Sequence, residues 1–135
     1  MTMQPVGVVF PDVEMWGVTY LKDALGRRTE PWAAVDLVGN RVPKPRRDRM
    51  VIVRRDGGTS DGLRDVARVS VQVWAKTEQD ATDLARLVAA LLWAAPDGAP
   101  VLRVVQQSGP TPIADTSGQP LRYLVFEIHT RGEAL

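Results

Sequence analysis

The period of the hydrophobic positions changes once between Asp65 and Ala95. Val69, Val71 and Val73 alternate with Arg68, Ser70 and Gln72, the repeat of a half-buried strand whose successive side chains point to opposite faces. Farther on, Ala81, Leu84, Ala85, Val88, Leu91 and Leu92 recur at helical spacing. Thr77, with Asp80 three residues later, supplies the N-cap signal for that helix. The spacing therefore predicts a strand running directly into an amphipathic helix whose apolar stripe lies on a sheet. Neither element carries a catalytic group, so this stretch reads as scaffold.

The same reading extends along the chain. Residues 1–11 read as a loose arm, since termini are poorly ordered unless docked. Asp12 caps a first helix with Val13, Trp16, Tyr20, Leu21 and Ala24 on one face, and Gly26 ends it. Residues 32–38 read as a short strand closed by Gly39 and Asn40. Pro43 and Pro45 exclude a central strand over residues 41–47, which become an exposed extended loop. A second strand spans residues 49–55 around Val51, Ile52 and Val53. Gly57-Gly58 and Asp61-Gly62 then mark a flexible turn. After the second helix, residues 95–98 form a stop signal. A fourth strand covers residues 101–106. A fifth covers residues 121–130, with Leu124, Phe126 and Ile128 inward, and residues 108–120 form a long loop or hairpin arm. The predicted order is α-β-β-β-α-β-β. This is a single α+β domain over residues 1–135, with about five mostly antiparallel or mixed strands and both helices on one face.

Composition bounds the rest. The chain has 135 residues, 44% hydrophobic and 24% charged, as a soluble globular domain does. It has no cysteine, which excludes disulfides, thiolate chemistry and cysteine-based zinc sites. No apolar run is long enough to cross a bilayer. The first nine residues lack the basic and apolar regions of a secretory signal, so the cytoplasm or an assembled particle is the expected location. The net charge of +1 is unevenly spread: residues 41–55 hold seven bases (Arg41, Lys44, Arg46, Arg47, Arg49, Arg54, Arg55) against Asp48. Such a window fits a polyanion or an acidic patch on a neighbouring copy, although a solvated loop explains it more simply. No aromatic residue interleaves with these bases to stack on nucleobases.

The search for chemistry yields no catalytic, cofactor or metal site. His129 stands alone, on the strand face opposite Leu124 and Phe126. Asp12 and Glu14 sit at a helix start, and Asp61 and Asp65 straddle a glycine turn, positions that capping and turn formation explain. Gly57-Gly58 lacks the lysine and helix of a phosphate loop. Trp16, Trp32, Trp74 and Trp93 read as core and interface packing. Trp74 falls on the polar face of its strand, beside Ser70 and Gln72, where burial needs a partner surface.

Several short patterns do occur in a telling order. Met50-Val51-Ile52-Val53-Arg54-Arg55-Asp56-Gly57-Gly58 precedes the alternating strand at Asp65. Ser108-Gly109-Pro110 follows with Ile113 and Asp115, then Gln119-Pro120-Leu121-Arg122-Tyr123, then Arg131-Gly132. With the proline-basic loop at Pro43 to Arg47 ahead of them, this string resembles the tail terminator proteins of long-tailed phages infecting actinobacteria. The resemblance spans about residues 31–132.

That resemblance implies a non-enzymatic virion protein. It would be a small α+β subunit of a hexameric ring that caps the head-proximal end of the tail tube, stops polymerisation and joins the tail to the head-completion complex. Its implied partners are its own copies, the major tail tube protein and head-tail stopper or connector proteins, with non-specific DNA contact in the lumen and no membrane. A ring needs two different patches per copy. The candidate contacts are the seven bases above together with Trp74, Ser108, Pro110, Asp115 and Arg122. Another neck component, a stopper or adaptor, shares these features. A small basic nucleic-acid-binding module is the rival from a different class, and an enzyme with carboxylate chemistry ranks last.

Overall fold

The computed structural model describes residues 7–95 and 100–135. Two helices lie on one face of a five-stranded mixed sheet, and the two ends of the described chain pair in a small ribbon. The ribbon joins β1 (Val8–Val9) to β7 (Glu133–Ala134). The main sheet has the order β2-β3-β4-β6-β5: β2 (Leu37–Gly39), β3 (Met50–Ser60), β4 (Arg64–Trp74), β6 (Leu121–Arg131) and β5 (Val101–Ile113). Only β2 runs parallel to its neighbour. β4 and β6 pair without interruption from Arg64↔Arg131 to Trp74↔Leu121.

Both helices begin where their caps predict. In α1 (Val13–Gly26), the Asp12 carboxylate accepts from the Met15 amide at 3.0 Å. In α2 (Glu78–Trp93), the Thr77 hydroxyl oxygen accepts from the Asp80 amide at 3.1 Å. Each satisfies an orphan donor of the first helical turn. The helices cover Val51, Val53, Val69, Val71, Val73, Leu124, Phe126 and Ile128, which form one core with Leu21, Leu25, Leu84, Val88 and Leu92. Trp16 stacks on Tyr20 with ring centroids 5.3 Å apart. The Tyr20 hydroxyl donates to the Leu91 carbonyl and ties α1 to α2.

Five expectations are corrected. Residues 32–38 are not one strand: Pro31–Ala33 form a 3₁₀ turn and only Leu37–Gly39 pair, because Pro31 fixes a helical φ at the start. The Gly57-Gly58 pair does not turn the chain. It extends β3 to Ser60 through a register shift between Arg55 and Gly58. Gly58 has a φ of +117°, and a Cβ there would collide with the Val66 carbonyl. Residues 108–113 are not loop but continue β5. Pro110 and Pro112 fit there because β5 is an edge strand with one side free of any ladder, and Pro110 falls in a register shift between Ser108 and Thr111. The arm is docked from Val8 onward, since β1 gains a partner in β7, and residues 1–6 lie outside the described residues. Gly26 is the last helical residue rather than the one beyond it, and Arg27 caps the end. Of the stop signal at residues 95–98, only Ala95 is described.

Core and cap make distinct contributions. Leu84→Ala, at a fully buried position, is expected to cost about 2–5 kcal/mol, and Thr77→Ala about 1 kcal/mol. Urea unfolding at constant m-value measures both; equal costs would contradict this division.

Candidate functional site

The face of the sheet away from the helices is not bare. On it Met50, Ile52, Trp74 and Leu121 form a second buried cluster, flanked by Leu37 and Val42. Trp74 is 3% exposed. The partner surface its position demands comes from its own chain: the loop between β2 and β3 folds back over it. The Arg46 guanidinium lies 4.8 Å from the Trp74 ring centroid, a cation–π geometry. The indole N–H donates to Gln72 Oε1 at 3.3 Å. The expectation that Trp74 contacts a neighbouring subunit is thereby corrected.

The β2–β3 loop is clasped to the β5–β6 loop. Gln119 Nε2 donates to the carbonyls of Arg47 (2.8 Å) and Asp48 (3.0 Å). Arg46 also faces Asp115 at 3.5 Å. The Ser117 hydroxyl donates to Asp115 at 2.6 Å and the Ser117 amide at 3.0 Å. These two bonds, with the Arg46 charge, hold the Asp115 carboxyl below the ordinary value of 3.8. Two weaker ion pairs anchor the β2–β3 loop to the first turn of α2 and to the residue before its N-cap, Arg49–Asp80 at 3.6 Å and Lys76–Asp48 at 3.8 Å. One end of the sheet thus carries two interlocked loops.

The basic window divides accordingly. Arg46 and Arg49 are held in the clasp, and Arg55 forks onto Asp65, with Nη2 to Oδ1 at 2.8 Å. Asp65 is 2% exposed, so this carboxylate is a buried ion-pair partner and not the turn former expected of it. Its bond raises the Arg55 pKa. Arg41, Lys44, Arg47 and Arg54 are exposed and make no ion pair among the described residues. Arg122, expected at an interface, is 8% exposed. It faces α2, with Nη2 2.7 Å from Glu78 Oε2 and 3.3 Å from Thr82 Oγ1. Ser108 and Pro110 are exposed on β5. The structure therefore brings Arg46, Trp74 and Asp115 together, pairs Arg49 with Asp80 of α2, and sets Arg55 and Arg122 to internal work. Sequence reasoning has Gln119 only as part of the Gln119-Pro120-Leu121-Arg122-Tyr123 pattern and gives it no contact role, since the carbonyls it binds lie 71 and 72 residues away.

Asp61 and His129 keep their expected roles, whereas Glu14 turns from its helix start to a neighbouring strand. Asp61 shapes the β3–β4 turn, accepting from the Leu63 and Arg64 amides. Glu14 accepts from the Arg55 amide at 2.8 Å and from Asn40 at 2.9 Å, capping part of an open strand edge. His129 Nε2 lies 2.8 Å from Glu127 Oε1 on the face opposite the main core.

No family model matches the chain, and no curated protein does. Among solved structures it is similar to the bacteriophage SPP1 gp17 protein, with a TM-score of 0.49 and 16% identity over 90% of this chain and 96% of that one.

The clasp makes a pH prediction. Because Asp115 is held below its free value, its contribution is complete above the unfolded pKa and is lost as pH falls through the lower, folded one. Quenching of Trp74, in a variant lacking the other tryptophans, should increase over that acid window, and trypsin cleavage within the 41–49 loop is the matching probe near neutral pH. Arg46→Ala should raise either signal at neutral pH. Separately, Asp65→Asn should destabilise the fold by about 1–3 kcal/mol, since it strands a partly exposed guanidinium. An unchanged cleavage rate in Arg46→Ala would contradict the clasp.

Proposed function

We propose that this chain is a structural subunit of a phage tail. In this reading its copies form a hexameric ring that caps the head-proximal end of the tail tube, stops polymerisation and joins the tail to the head-completion proteins. The observation that carries the reading is the pair of interlocked loops at one end of the sheet. Loops left free cost entropy when a partner orders them. Here Gln119, Arg46 and Trp74 fix both loops in advance, as a rim meeting a preformed tube end requires. The sequence patterns that resemble tail terminators give further support. They fall on β3, β4, β5 and β6, which are contiguous in one sheet.

The exposed Arg41, Lys44 and Arg47 extend the rim with positive charge. They suit an acidic neighbour, or phosphates of DNA passing through a ring. Ser108 and Pro110, on the β5 edge, are the lateral candidates. Contact of these three bases with duplex DNA would give a log-affinity against log-salt slope of about −3. No binding at low salt would remove the lumen contact and leave the cap.

The deciding experiment is the tail-length distribution, by negative-stain microscopy, of a phage lysate lacking this gene. Overlong, headless tails are expected. Normal-length tails lying unattached beside full heads would move the protein to the stopper or adaptor class. Intact infectious particles would overturn both.

A further inference from the structure

The end of the sheet opposite the clasp presents a leucine that its own chain does not need. In the β3–β4 turn, Asp61 Oδ1 accepts from the amides of Leu63 (2.9 Å) and Arg64 (2.7 Å), and the Asp61 amide donates to the Arg64 carbonyl at 3.2 Å. A turn fixed this firmly would be served by any polar residue at its tip. It instead holds Leu63 out at 77% exposure. One exposed leucine is ordinary by itself; what singles this one out is the apolar, charge-flanked groove that lies beside it.

Beside this tip lies a groove of about 320 Å³, lined by Val9, Phe10, Pro11 and Pro100, together with Arg131, Gly132 and Glu133. The groove is predominantly apolar and roomy enough for one branched aliphatic side chain. Leu63 does not line it; it borders a neighbouring depression with Leu102 and Arg131. The flanking charges are complementary. The tip carries Asp61 and Arg64, the groove carries Arg131 and Glu133, and none of the four forms an ion pair among the described residues.

We propose that Leu63 of one copy docks into this groove of a second copy, with Asp61 facing Arg131 and Arg64 facing Glu133 across the contact. Each copy offers both a knob and a socket, and on the ring reading the knob goes to one neighbour and the socket to the other. Such contacts close into a ring when the rotation between copies permits. The inference rests on the ring reading only in requiring that copies associate, and it names where they do.

The chain has no native cysteine, so two introduced ones report cleanly. Full-length Leu63→Cys and Val9→Cys proteins are mixed in equal amounts and treated with a short bis-maleimide. The expected result is a 63–9 crosslinked dimer about tenfold above that from Leu63→Cys mixed with Thr19→Cys, an exposed control on α1. The double variant Leu63→Cys/Val9→Cys should run as a ladder of higher oligomers. Crosslinking no better than the control would overturn the proposal. So would a 63–9 crosslink that appears only after removal of residues 1–6, since the chain's own start would then occupy the groove. A failed crosslink alongside overlong tails in the gene deletion removes this contact and leaves the capping reading standing. A strong crosslink with normal tails does the reverse.

Discussion

The unbroken pairing of β4 with β6 is the constraint on which the other features depend. Because side chains alternate with a period of two, that register assigns every residue of both strands to one face or the other. Val69, Val71, Val73, Leu124, Phe126 and Ile128 go to the helices; Ser70, Gln72, Trp74, Leu121 and Tyr123 go to the opposite side. A slip of one residue would expose the first set and drive Arg68 and Gln72 into the helical core. The helices add burial to a division the sheet has already made.

The opposite face then sets what the loops must do. Trp74 and Leu121 are too large and apolar to be left in water, and among the described residues no α-helix covers them. The β2–β3 loop fills that role with Val42 and the stem and head of Arg46, a long cationic side chain that packs and stays solvated at once. Burying Trp74 thus fixes the loop, and Gln119 ties the loop to the β5–β6 hairpin. One apolar residue on an otherwise polar face leads, through packing, to a rigid rim with Arg41, Lys44 and Arg47 on its outside.

Local pattern made much of this legible from the sequence. The two helices, their caps at Asp12 and Thr77, the central strand and the inward set of β6 are all written in spacings shorter than a dozen residues. Trp74 was identifiable as a residue in need of cover, because alternation placed it beside Ser70 and Gln72. Which segment covers it was not legible, since Arg46 and Trp74 meet only through the fold. The glycines at 57 and 58 and the prolines at 110 and 112 misled for a related reason. In isolation they signal turns, but on an edge strand and at a register shift they are accommodated within the sheet. Arg55 and Arg122 read as surface charge because their acceptors, the buried Asp65 and the exposed Glu78 at the start of α2, lie 10 and 44 residues away.

We propose that a ring of these subunits sits at the head-proximal end of a tail tube, rim against tube. The most direct test is to locate the protein on purified tails, using a gold-labelled C-terminal tag and electron microscopy. The account predicts label confined to the head-proximal end, at one level on each tail. Label along the tube, at the distal tip, or absent from tails altogether would contradict it.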